Sequence, residues 1–123
     1  MGNESYILDM HGFEINTYDS SLQLILETLY HAFGEEDRER IYEDIGDDED
    51  RKIAYQIFDS IKKLDEKIWI GVSNECTGSI PLYVGWSDIS ETTVEKKEAL
   101  KKIFNIEKIK IEDIEKDRFV TYG

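Results

Sequence analysis

The chain has 123 residues, 40% of them apolar and 35% charged, with 28 acidic against 15 basic side chains and a formal net charge of −13. That length fits a single domain over residues 1–123, which can bury roughly two thirds of the surface its unfolded chain exposes and so carry its own core. So negative a chain repels nucleic-acid phosphates and anionic headgroups, which disfavours direct binding to DNA, RNA or a membrane surface and favours basic protein partners.

The single Cys76 rules out an intramolecular disulfide. Met1-Gly2-Asn3-Glu4 has neither the basic start nor the apolar centre of a signal peptide, and apolar runs are too short to span a bilayer. Tyr6 stands where a myristoylation signal wants Ser or Thr. The expected location is the cytoplasm.

Residues 5–17 alternate about an interruption at His11-Gly12, which predicts a hairpin of two strands with a Gly-containing turn. Ser20 and Gln23 then form a capping box ahead of Leu22, Ile25, Leu26, Leu29 and Phe33, the spacing of a helix, with Gly34 as its stop. Over Glu36–Ile45 a narrow apolar edge of Ile41, Tyr42 and Ile45 predicts a short helix ended by Gly46. Another helix begins at Asp47 or Asp48, where acids suit the positive end of the dipole, and ends near Lys62 and Lys63, burying Ile53, Ile57, Phe58, Ile61 and Leu64.

The period changes at Ile68–Val72 and again at Pro81–Trp86, two strands joined by a loop over Asn74–Ile80. Thr92 and Glu95 form a second capping box before a helix carrying Val94, Leu100, Ile103 and Phe104. Ile109 and Ile111 alternate with charged residues, and Phe119–Tyr122 follows, which predicts a last pair of strands. The order ββ-ααα-ββ-α-ββ defines an α+β domain, with three to four helices on an antiparallel or mixed sheet of five to six strands.

All of the net charge falls in residues 1–50, where 15 acids meet 2 Arg; residues 51–123 hold 13 acids and 13 bases. The densest run is 35–50, with ten carboxylates and two guanidiniums: Glu35, Glu36, Asp37, Arg38, Glu39, Arg40, Glu43, Asp44, Asp47, Asp48, Glu49 and Asp50. On a continuous helix, at about 1.5 Å per residue, eight net charges would fall roughly every 3 Å, close to the phosphate spacing of one DNA strand. Like charges three and four residues apart cost a few tenths of a kcal/mol each, roughly, a cost that a binding role would explain. Tyr42 and Tyr55 flank the run and are candidate interface anchors, whereas Trp69 reads as core. By contrast, Lys96, Lys97, Lys101 and Lys102 are interleaved with Glu95 and Glu98, the pattern of a solvated helix face.

Asp9-Met10-His11-Gly12 and Gly46-Asp47-Asp48-Glu49-Asp50-Arg51 resemble the first two metal-ligand motifs of metallophosphoesterases, D-x-H-G and G-D-x-x-D-R-G. The likeness covers ten residues. Lys52 stands in place of the final Gly, no G-N-H motif follows, and His31, the only other histidine, precedes the second motif. An EF-hand loop begun at Asp44 would need Gly and Glu where Glu49 and Tyr55 stand. Cys76 has no neighbouring His, Lys or Arg, and G-x-S-x-G, H-E-x-x-H and phosphate- or dinucleotide-binding loops are missing.

The leading expectation is a small acidic inhibitor without metal or cofactor. Residues 35–50 with Tyr42 and Tyr55 would bind and occlude a basic surface on a toxin nuclease or nucleic-acid-handling enzyme, as immunity proteins, antitoxins and phage anti-defence mimics do. A metal-dependent hydrolase using Asp9, His11, Asp47 and Asp50, and a regulatory domain whose acids merely keep it soluble, are the alternatives.

Overall fold

A computed structural model describes residues 5–64, 68–72, 82–87 and 92–122, and within these the side chains of 5–10, 72 and 115–122 lie outside the described set. The elements are β1 (Ser5–Thr17), α1 (Ser20–Glu35), α2 (Glu39–Asp44), α3 (Asp48–Lys63), β2 (Trp69–Val72), β3 (Leu82–Ser87), α4 (Val94–Ile103) and β4 (Ile109–Tyr122). The fold is α+β, with four helices and one antiparallel sheet of four strands. No described helix is long and apolar enough to cross a membrane. The expected loop over 74–80, with Cys76, lies outside the described residues.

The hairpin expected over residues 5–17 and the pair of strands expected at the end of the chain are each a single long strand. β1 pairs antiparallel with β4 from Ser5↔Tyr122 to Thr17↔Ile109, so neither strand can fold back on itself. The interruption at His11-Gly12 is real, but it is a bend. Between Met10↔Asp117 and Gly12↔Ile114, β4 advances by one residue more than β1, a bulge that re-aims the pair. Gly12 has φ +152°, and Gly85 of β3 passes directly against it: a Cβ built on Gly12 would lie 2.6 Å from the Gly85 Cα. A glycine inside an alternating run marks close backbone approach as readily as it marks a turn.

β3 pairs with β1 from Met10↔Ser87 to Ile15↔Leu82, and with β2 from Trp69↔Gly85 to Val72↔Leu82. Gly71↔Thr121 and Val72↔Val120 then join β2 to β4 and close the sheet in the order β1-β3-β2-β4. Among the described residues these two pairs are the whole of the closure, and the rest of β4 pairs with β1 alone.

Antiparallel partners share a face, so Phe13 and Ile15 line up with Val84 and Leu82, and Ile70 joins them from β2. These side chains are buried with Leu22, Ile25, Leu26 and Leu29 of α1, which packs against all four strands. At one end of this face Trp86 is buried and stacks on His11, their ring centroids 6.0 Å apart. Trp69, expected in the core, is half-buried. At the other end the buried Thr17 hydroxyl donates to the Lys108 carbonyl at 2.7 Å and accepts from the Asp19 amide at 3.1 Å, tying β1 to β4 and to the start of α1.

The caps explain where the helices begin. Asp19, rather than the expected Ser20, accepts from the Leu22 amide at 3.1 Å, while the Gln23 amide group donates back to the Thr17 carbonyl. Thr93, rather than Thr92, caps α4 by accepting from the Lys96 amide. Asp47 caps α3 as expected, accepting from the Asp50 amide at 3.1 Å. α3 packs on α1 through Phe33 and Phe58, whose rings stack at 4.4 Å. α4 closes over α3 and buries Leu100, with Phe104 buried just beyond its end.

Candidate protein-binding surface

Residues 35–50 do not form one helix. They fold back as the end of α1, the short α2 and the start of α3, so a single row of charges at phosphate spacing is replaced by a compact acidic shoulder. Ile41 and Ile45 are fully buried and pin α2 to the core, each stabilising by about 2 kcal/mol on area grounds. Every exposed position of the run is thereby forced outward.

α1 does not stop at Gly34. It runs to Glu35 and ends where Glu36 takes φ 53°, with the Asp37 amide donating to the Ala32 carbonyl at 2.9 Å. That is a Schellman-type ending without the glycine it usually employs, and a side chain in this left-handed region costs about 1 kcal/mol. Glu36→Gly is therefore expected to stabilise the fold by roughly 1 kcal/mol, read as a higher urea midpoint at unchanged slope. An unchanged or lowered midpoint would contradict the strain.

The three guanidiniums near the run are all held by groups of the same segment or of α3, Arg40 and Arg51 partly buried and Arg38 exposed. Arg38 at the start of α2 makes two hydrogen bonds to Asp59 of α3, at 3.0 and 3.1 Å, and stacks 4.1 Å above the centre of the Tyr55 ring. Arg40 bridges Glu35, at 3.1 Å, and Asp44, at 2.7 Å. Arg51 on α3 donates to the carbonyls of Ile45 and Tyr42, pairs with Asp48 at 3.3 Å and stacks 4.1 Å from the centre of the Tyr42 ring. Two reciprocal Arg–Tyr stacks thus join α2 to α3, one arginine supplied by each helix.

This inventory sorts the candidate residues. Glu35, Asp44 and Asp48 have arginine partners, Asp37 accepts from the Glu39 amide at 3.0 Å, and Asp47 is a cap. Glu36, Glu39, Glu43 and Glu49 are exposed and make no ion pair among the described residues. Tyr42 is 61% exposed among them, braced from beneath by Arg51. Tyr55 lies half-buried under Arg38 instead.

The charges act on one another. Partial burial and the neighbouring carboxylates of Asp47, Asp19 and Glu49 raise the Asp50 pKa, whereas the hydrogen bonds from Arg38 lower that of Asp59. Arg51 and Asp59, which hold α2 against α3, lie outside the acidic run, and the only local signal for either is the i,i+3 spacing of Asp48 and Arg51.

The metal-ligand resemblance finds other local explanations. His11 faces Trp86 and lies 3.3 Å through Nε2 from the Thr92 hydroxyl, while Asp47 caps α3. Among the described residues no three His, Cys, Asp or Glu side chains are grouped to hold a metal ion.

Comparison of the chain with protein-family models, curated proteins and solved structures finds no match.

Proposed function

We propose that this protein is a small acidic inhibitor that binds a basic, nucleic-acid-handling surface of a partner protein and occludes it, in the manner of an immunity protein, an antitoxin or a phage anti-defence mimic. The observation that carries the reading is that Arg38, Arg40 and Arg51 are all engaged within the shoulder itself, by Asp59, by Glu35 and Asp44, and by the Ile45 and Tyr42 carbonyls. Ordinary surface runs interleave charges outward. Here the cations are used to assemble the shoulder, and exposed carboxylates surround one rigid aromatic side chain.

Such a surface suits a partner whose lysines and arginines ring a shallow apolar depression. Glu36, Glu39, Glu43 and Glu49 pair with the cations, and Tyr42 fills the depression as an anchor that has already lost much of its rotational freedom. Association is fast and electrostatically steered, and it weakens with salt because the Debye length falls from about 10 Å at 0.1 M to 3 Å at 1 M.

The test is capture from a bacterial lysate at low and moderately high salt by the wild type and by a variant with Lys at 36, 39, 43 and 49. The substitutions avoid Asp47, Asp44 and Asp48, whose loss would disturb a cap or an arginine bridge. A basic nucleic-acid-handling protein held by the wild type at low salt, and lost from the variant by at least a hundredfold, is the expected result. Equal capture by both chains, or none by either, would contradict the proposal.

A further inference from the structure

We infer that the outer edge of β4 is a dimer interface, at which a second copy of this chain adds its own β4 antiparallel about Ile111 and the two sheets become one. From Ile109 to Ile114, β4 pairs with β1 on one side, and no described strand lies on the other; β2 reaches β4 only at Val120 and Thr121. Along an antiparallel strand every second residue directs its N–H and C=O away from the neighbour it already has, so this stretch presents donors and acceptors outward. There is room beside them, because a groove of about 670 Å³ opens between Ile111 and α4.

The walls of that groove do not choose the occupant, since Glu95 and Glu98 face it together with Lys101 and Lys102. The side chains of β4 do. With Ile111 opposite its own copy, Lys110 falls opposite the partner's Glu112 and Glu112 opposite the partner's Lys110, which makes two cross-strand ion pairs on the exposed face. Asp113 falls opposite Ile109 and gains no ion pair. Moving the axis by one residue in either direction sets Lys110 against Lys110 or Glu112 against Glu112.

Glu112 has a further reason to take a cation. Glu14 of β1 stands directly opposite it, a like-charge placement that weakens a sheet. Glu112 is exposed and makes no ion pair among the described residues. Lys110, on the same face, is also exposed; its ammonium lies 5.4 Å from the centre of the Tyr18 ring, and it too makes no ion pair among the described residues. The second copy therefore supplies the partner that each residue lacks.

Such a pair is isologous and closes at two copies. Two chains of −13 repel each other in dilute buffer, but at about 0.1 M salt that repulsion decays over roughly 10 Å, while the strand-to-strand contact is shorter than this. Dimerisation therefore strengthens from dilute buffer to moderate salt. The inference goes beyond the inhibitor reading, because it concerns a different element and needs no foreign partner.

Sedimentation velocity of the full chain tests this with Lys110→Glu, Glu112→Lys and the double exchange Lys110→Glu/Glu112→Lys. Both positions are exposed, and circular dichroism checks that each variant is folded. The wild type is expected to dimerise in the micromolar range at moderate salt and to grow no further. Each single variant sets like charges across the axis and is expected to associate roughly tenfold more weakly or worse. The double exchange, and an equimolar mixture of the two single variants, restore the opposite pairs and with them the dimer. A wild type monomeric at every concentration and salt, single variants that dimerise like the wild type, or a folded double exchange that stays as weak as the single ones would overturn the inference. The single variants leave residues 35–50 intact and still capture a foreign basic partner if the inhibitor reading is right, so the two ideas fail separately.

Discussion

Gly85→Ala is expected to lower the free energy of unfolding by roughly 4 kcal/mol or more, which leaves a margin of about 1 kcal/mol or less if the domain begins near the low end of the usual 5–15 kcal/mol. The new Cβ would be driven into the His11 carbonyl oxygen, with the Gly12 Cα at 2.9 Å. Both obstacles are backbone, and the pairing of Gly12 with Gly85 fixes them in the middle of the sheet. No side chain can swing aside. Gly12→Ala should be at least as damaging, because the Cβ meets the Val84 carbonyl and the residue must also keep φ +152°. Urea denaturation followed by tryptophan fluorescence measures both, since Trp86 sits one residue beyond the crossing. A loss below about 1 kcal/mol for either variant would mean that β1 and β3 do not cross so closely.

Arg51→Ala is expected to cost about 1.5–3 kcal/mol, the range for hydrogen bonds made by a charged group. One guanidinium closes the end of α2 by holding the Ile45 and Tyr42 carbonyls, and its plane supports the Tyr42 ring. The exposed pair with Asp48 adds little. Arg51→Lys should recover less than half of the loss, because an ammonium cannot span both carbonyls and stack at once. Amide exchange confined to 41–46 should quicken in both variants. Wild-type stability in Arg51→Lys would show that charge alone, without the planar fork, holds α2.

How far the sequence reaches differs between helices and strands. The apolar spacing of Leu22, Ile25, Leu26 and Leu29, and that of Ile57, Phe58 and Ile61, located α1 and α3 within a residue or two, since a helix is specified by neighbours three and four positions apart. The ends are less legible: the capping box at Ser20 and Gln23 falls one residue past the true cap, Asp19, whose amide is held by the Thr17 hydroxyl that in turn reaches Lys108 across the sheet. Strand number failed for a related reason. Alternation over residues 5–17 is the same whether the chain turns at Gly12 or bends there, and the choice is made by β4, about a hundred residues away.

The surface was legible in composition and illegible in geometry. Ten carboxylates in sixteen residues are plain from the sequence. That Arg38 reaches Asp59 on the next helix, and Arg51 reaches back to α2, depends on how α2 folds against α3, and so does the difference between Tyr42, exposed, and Tyr55, half-buried.

The most direct test of the central claim is occlusion itself. With the captured partner purified, its nucleic-acid binding or cleavage is measured against increasing amounts of this protein and of the variant with Lys at 36, 39, 43 and 49. The account predicts loss of the partner's activity at one equivalent of wild type, competition with nucleic acid, relief by salt, and at least a hundredfold weaker inhibition by the variant. A partner that stays fully active while saturated with wild type, or that is inhibited equally by the variant, would contradict it.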